Sequence, residues 1–296
     1  MPATAREFVH AAARRFESAG LYYGHGTDNP HDEAVYLVFR ALGLPFDVAE
    51  SRLDELLDAE QRRRLEALIR DRIETRRPVA YLLNEAWFAG RPYYVDERVL
   101  IPRSPIAELI ADGFSPWLSA PPARILDLCT GSGCIAIAAA HQFPAGRVDA
   151  ADLSAEALAV ARINVDRHGL AARVTLHESD LFEALGDARY DLIVSNPPYV
   201  PQTSLQALPE EYRHEPALGL RAGDDGLVIV DRILAQACGH LSTSGLLVVE
   251  VGESQPAVEK KYPGLPLTWL EFTRGGEGVF LINARELAEA GYAGGM

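Results

Sequence analysis

The run Tyr190-Asp191-Leu192-Ile193-Val194-Ser195 constrains the fold of this chain more than any other stretch. A short apolar run of this kind is what a strand buried on both faces of a parallel sheet shows. Asn196-Pro197-Pro198-Tyr199 follows at once. Two successive prolines lack the N–H groups a sheet ladder needs and fix their own φ, so the strand must end at Ser195 in a stiff turn. In open α/β sheets, ligands bind beyond this carboxyl edge. Asn196 brings one acceptor oxygen and two donors to it, and Pro197 keeps a carbonyl acceptor. Two rigid acceptors side by side suit a planar –NH2 group, with the Tyr199 ring against it. Asn196, Pro197, Pro198 and Tyr199 are therefore the candidate catalytic residues, for chemistry on an amide or amino nitrogen.

Around that strand the chain alternates strand and helix. Strands are expected at 124–129, 147–151, 173–177, 190–195 and 246–251, and helices near 133–142, 154–168 and 226–241. Residues 266–272 and 278–283, joined through Arg274-Gly275-Gly276-Glu277-Gly278, read as a closing antiparallel hairpin. The pattern predicts a doubly wound, Rossmann-like α/β domain over 104–296.

Its first strand runs into Asp127-Leu128-Cys129-Thr130-Gly131-Ser132-Gly133-Cys134. Gly131 and Gly133 let the backbone approach a ligand, and the helix start presents free N–H groups. By itself, Gly131-x-Gly133-x-x-Ala136 also fits a dinucleotide fingerprint. Three carboxylates shift the choice. Asp127 sits just before the glycines, where it would repel a pyrophosphate but suit a cationic amino acid moiety. Asp152 ends the second strand, placed to accept from ribose hydroxyls. Asp180 follows the third, placed to accept from an adenine amino group. An acidic cradle suits S-adenosylmethionine better than NAD. Cys129, Thr130, Leu153, Leu181 and Asn196 complete the candidate cofactor set.

The first 85 residues read as a small helical domain expected to recognise substrate. A helix over 3–18 carries Phe8, Val9, Ala12, Ala13 and Phe16 on one stripe. Asn29-Pro30 starts a second, with Asn29 as cap, and Gly43 and Pro45 stop it. A third spans about 58–76 with Leu65, Leu68, Ile69, Arg72 and Ile73 at helical spacing; its arginine-rich outer face reads as solvated. His25, between two glycines, has no second ligand at metal-binding spacing and reads as a turn residue. Residues 86–103 read as a hairpin or extended linker, and Ser104 with Pro105 opens the next helix.

The chain of 296 residues is long enough for a large and a small domain, and its net charge is −14. That charge argues against tight binding to a phosphate backbone and favours a basic or neutral partner. Cys129, Cys134 and Cys238 form no CxxC pair and no metal-ligand cluster, as expected of buried thiols in a reducing compartment. Without a signal peptide or membrane-length apolar run, the expectation is a soluble, cytoplasmic protein with no metal and no membrane contact.

With these residues in place, the chain resembles class I S-adenosylmethionine-dependent methyltransferases. More narrowly, it is similar to the glutamine-amide methyltransferases that carry Asn-Pro-Pro-Tyr and a helical N-terminal domain. Two bacterial branches modify peptide-release factors and the third-numbered protein of the large ribosomal subunit. Leu21–Asn29, Val95–Pro105, Asp127–Cys134 and Glu211–Pro216 resemble the ribosomal-protein branch. The resemblance implies methylation of a glutamine side-chain amide in a large-subunit ribosomal protein, free or in an assembly intermediate. Phe88 and Tyr199 are then candidate walls for the substrate side chain, and Arg103 either anchors substrate backbone or forms a structural salt bridge. Where the wider fold has Gly, this chain has Cys129, expected in an ordinary β conformation. The rival readings are a release-factor methyltransferase, a methyltransferase of nucleic-acid base amines, a non-catalytic assembly factor and an NAD-dependent enzyme.

Overall fold

A computed structural model describes residues 2–273 and 275–292. A two-stranded hairpin, β1 (Ala86–Phe88) with β2 (Arg91–Tyr93), links a helical N-terminal region to a seven-stranded sheet. The sheet strands are β3 (Arg124–Leu128), β4 (Arg147–Asp152), β5 (Val174–Glu178), β6 (Tyr190–Ser195), β7 (Leu241–Glu250), β8 (Thr268–Leu270) and β9 (Val279–Asn283). Their order is β5-β4-β3-β6-β7-β9-β8, with β3 to β7 parallel and β8–β9–β7 antiparallel. The order reverses between β3 and β6, which makes their carboxyl ends the topological switch point. In the closing hairpin, Arg274 lies outside the described residues.

Each face of the sheet is covered, as buried parallel strands require. Helix Cys134–Gln142 packs on one face, over Ile125, Val148 and Val194. Helix Val228–His240 packs on the other, over Leu126, Ile193 and Leu247. The strand predicted at 246–251 begins earlier, at Leu241.

In the N-terminal region, helices Ala5–Ser18, Pro30–Leu42 and Ala59–Thr75 enclose a core that includes Phe8, Phe16, Leu37, Leu65 and Ile69. The Asn29 side chain accepts from the Asp32 N–H and Gly43 closes the helix at φ 68°. Arg72, on the apolar stripe of the last helix, is wholly buried with its charge answered. Its Nε donates to Glu33 at 2.7 Å, and its Nη2 to the Tyr22 carbonyl at 3.0 Å. Its Nη1 lies 3.7 Å from Glu211, a residue of the loop beyond β6. Glu211 also accepts from the Tyr22 N–H at 2.9 Å and faces Arg76 at 3.1 Å. The helical region is thus fastened to a loop that lies some 190 residues further along the chain (189 separate Tyr22 from Glu211). No described helix is long and apolar enough to cross a membrane.

Candidate active site

The β3–β6 register pairs Leu128 with Ser195, and the Ser195 hydroxyl donates to the Leu128 carbonyl at 2.9 Å. Two loops, one after each strand, therefore leave the sheet side by side. Both line one cavity of about 480 Å³, together with Asp152, Leu153, Asp180 and Leu181 from the ends of neighbouring strands.

The first loop is held from below. Asp127 is buried, and its Oδ2 accepts from the Thr130 hydroxyl at 2.5 Å and from the Ala136 N–H at 3.0 Å. Among the described residues its Oδ1 has no hydrogen-bond partner. Burial pushes this carboxyl up to about 7. Asp127 is not among the residues that line the cavity; it braces the loop from behind. Asp152 accepts from the Gly131 N–H at 2.8 Å and the Ser154 N–H at 2.9 Å, and burial raises its carboxyl above the usual range. Gly131 has φ 54°, and a Cβ built there would meet nothing within 4 Å, so the loop faces open space.

Cys129 corrects the sequence reading. Its φ is 59°, in the left-handed region, rather than ordinary β. The loop must turn sharply between Leu128, held by both neighbouring strands, and Thr130, whose N–H donates to the Ala151 carbonyl at 3.0 Å. A non-glycine residue holds such a turn at a cost of about 1–3 kcal/mol. Leu181 lies in the same region at φ 54°. Asp180 lines the cavity but is also drawn to Arg232, whose Nη1 donates to it at 2.9 Å.

The second loop carries Asn196-Pro197-Pro198-Tyr199, all at the cavity wall. Among the described residues the Asn196 side chain spends no hydrogen bond on the protein. Tyr199 is fixed at several points. Its hydroxyl donates to Glu250 at 3.3 Å, its carbonyl accepts from the Ser254 hydroxyl at 2.8 Å, and its ring lies over Gly252. A Cβ at Gly252 would stand 2.7 Å from that ring, and the φ of 47° there also favours glycine. Glu250 ends β7, accepts a further hydrogen bond from Ser104, and is held above its normal pKa by burial. It too lines the cavity.

Arg103 lines the opposite wall. Its Nη1 and Nη2 donate to the two oxygens of buried Glu215 at 2.6 and 2.8 Å, and its guanidinium lies 5.4 Å from the Tyr212 ring centre. Of the two roles open to it, the structure shows the salt bridge. Phe88 is absent from the cavity: it is buried in the core against Tyr93, and its hairpin neighbour Trp87 is the exposed one.

Sequence reasoning missed Glu250, Glu215, Tyr212 and Arg232. Glu250 carried a readable signal, a carboxylate closing an apolar strand, as Asp127 and Asp152 do. Tyr212 and Glu215 lie in the Glu211–Pro216 stretch, but only the fold brings Tyr212 to the wall and pairs Glu215 with Arg103 and Arg232 with Asp180.

A model of the methyltransferase small domain matches residues 114–210. Over 286 residues the chain is 48% identical to the ribosomal protein uL3 glutamine methyltransferase of Bordetella pertussis, covering 96% of each. It is 50% identical over 288 residues to that of Neisseria gonorrhoeae, covering 96% of this chain and 95% of the relative. The chain belongs to the ribosomal protein uL3 glutamine methyltransferase family. As a member it is a methyltransferase, with S-adenosylmethionine as methyl donor. Among solved structures, the hMettl16 catalytic domain in complex with a MAT2A 3'UTR hairpin shares the fold. That match has a TM-score of 0.52 and 15% identity, over 83% of this chain and 91% of that one.

Proposed function

We propose that this protein methylates the side-chain amide nitrogen of a glutamine in ribosomal protein uL3, the substrate for which its relatives are named. The reading rests above all on one observation: the Gly131 loop and the Asn196 turn leave adjacent strands into a shared cavity. The residues present fit S-adenosylmethionine. Gly131 leaves the room a ligand needs, and Asp152 and Asp180 supply acceptors for hydroxyl and amino groups. Cys129, Thr130, Leu153 and Leu181 would complete its seat, with Gly133 packed against Ala161 and Asp127 bracing the loop from behind.

The chemistry S-adenosylmethionine supplies when bound is an electrophilic methyl on a sulfonium sulfur. An amide nitrogen is a poor nucleophile, because its lone pair is shared with the carbonyl; the resonance is of the order of the peptide rotation barrier, about 18–20 kcal/mol. Asn196 Oδ1 and the Pro197 carbonyl accept the two amide protons, which returns electron density to nitrogen and aims its face. Transfer would form one N–C bond and break one S–C bond, the sulfur leaving as a neutral thioether and one amide proton passing to solvent. Tyr199, held by Glu250 and Gly252, forms the flat wall for the amide. Orientation and fixed dipoles supply the rate. In this reading the helical N-terminal region, about residues 1–85, recognises the substrate protein, residues 86–103 connect, and residues 104–296 carry the transfer.

The test is transfer of labelled methyl into three pools: unmodified large-subunit ribosomal proteins, peptide-release factors and nucleic acid. The expected outcome is label on one ribosomal protein, mapped by mass spectrometry to a glutamine side chain. Label on release factor would keep the chemistry and change the substrate; label only on nucleic acid would overturn both.

A further inference from the structure

Beside the main cavity lies a second one of about 390 Å³, in the seam between the helical region and the β1–β2 hairpin. Ile101 and Pro102 line both, so the two are neighbours across a thin wall. Its mouth is aromatic. Phe46 and Trp87 are 49% and 39% exposed, with ring centres 5.6 Å apart at 76°, and Tyr36 stacks on Phe46 at 6.2 Å. Large apolar rings left at the surface around a cavity mark a binding site rather than a core. Nothing in the proposed transfer uses them.

Deeper in the seam stands His25. Its side chain is 2% exposed, yet among the described residues neither ring nitrogen has a hydrogen-bond partner, and the Glu215 carboxylate stands 3.8 Å from Nε2. Burial pushes the imidazole down to about 4, which keeps it neutral near pH 7. A neutral imidazole offers one donor and one acceptor, the complement of a peptide group. A buried polar group left unpaired is costly, so the pair of orphaned nitrogens points to a ligand that answers them.

We infer that this second cavity seats the stretch of substrate polypeptide flanking the target glutamine, with an apolar side chain between Phe46 and Trp87 and its peptide group at His25. The inference rests on the uL3 reading and refines it. The shared Ile101–Pro102 wall places the two cavities within the span of a short peptide. The net charge of −14 also complements a ribosomal protein, whose surface must be basic to hold RNA. Asp32 adds a carboxylate to the pocket.

Steady-state methylation of the full-length ribosomal protein tests this, with wild type, Phe46→Ala, Trp87→Ala and, as an exposed tryptophan outside both cavities, Trp117→Ala. Both pocket variants should raise the KM for the protein about tenfold. Their dissociation constant for S-adenosylmethionine should stay within about twofold, and Trp117→Ala should match wild type. His25→Leu should raise the KM similarly, and His25→Gln, which restores a donor and an acceptor, should recover part of the loss. A KM within about twofold of wild type for both Phe46→Ala and Trp87→Ala, with wild type active, overturns this inference alone. Failure of wild type to label any ribosomal protein overturns the functional reading, and this inference with it.

Discussion

On the side of the Gly131 loop, the main cavity is closed by bonds between residues near in the chain. Thr130 reaches Asp127 across 3 positions, Ala136 reaches it across 9, and Gly131 reaches Asp152 across 21. On the opposite side the bonds that tie the wall together span much of the chain. Arg103 meets Glu215 across 112 positions, Ser104 meets Glu250 across 146, and Tyr22 meets Glu211 across 189. In the proposed reading the near wall faces the donor, whose binding a strand, a glycine turn and a helix start can supply by themselves. In that reading the far wall faces the substrate, and it is assembled from the helical region, the linker and the loop after β6. The donor side is therefore a local device, while the substrate side depends on the two halves of the chain being correctly packed together.

That contrast can be broken at several points, of which Asn196→Ala should have the largest effect. It removes one fixed dipole at the reacting nitrogen, and the transfer rate should fall by about 10²–10³-fold. Affinity for S-adenosylmethionine, measured by calorimetry, should stay within a few-fold; equal loss of both would show that Asn196 serves the donor instead.

Arg72→Met should act through the far wall alone. It leaves Glu33 buried without its partner and cuts one tie to Glu211, at a cost of about 3–5 kcal/mol in chemical denaturation. If the variant that survives binds S-adenosylmethionine normally, the two walls are independent; parallel loss of donor binding would unite them.

Asp127→Asn probes the near wall through pH. In the folded chain burial holds this carboxyl near 7, above its ordinary value of 3.8. A raised folded pKa gives stability that is full below the unfolded value and drains away as pH rises through the folded one. The donor-free wild type therefore loses stability between about pH 4 and pH 7 on this account, and the Asn variant does not. Above pH 7 the variant should be the more stable, a gain that vanishes near pH 4. Thermal melts at both ends of that range decide it, and a pH-independent difference would mean that the carboxyl is paired. Smallest of all, Cys129→Gly relieves a left-handed φ but adds freedom to the unfolded chain, for a net gain of about 1 kcal/mol or less. A large loss on melting would mean that the thiol packing outweighs the strain.

Much of this molecule was written in the order of its residues. Buried parallel strands read as apolar runs because both of their faces are covered, so Arg124–Leu128 and Tyr190–Ser195 could be placed from composition alone. Prolines cannot continue a ladder, so the end of the second strand at Ser195 was equally plain. The glycine loop followed from spacing. Cys129 escaped because a left-handed φ at a non-glycine residue is imposed by the strands on either side, not by its own preference. Phe88 escaped because a three-residue strand carries too little alternation to say which face is buried. Arg103, Tyr212, Glu211 and Glu215 belong to the tertiary structure. A charge on an otherwise apolar stripe, such as Arg72, signals that a partner exists, since a buried ion without one is prohibitively costly. Which residue answers it is settled only when the chain folds back on itself, and here the answer came from Glu33 nearby and from Glu211, far along the chain.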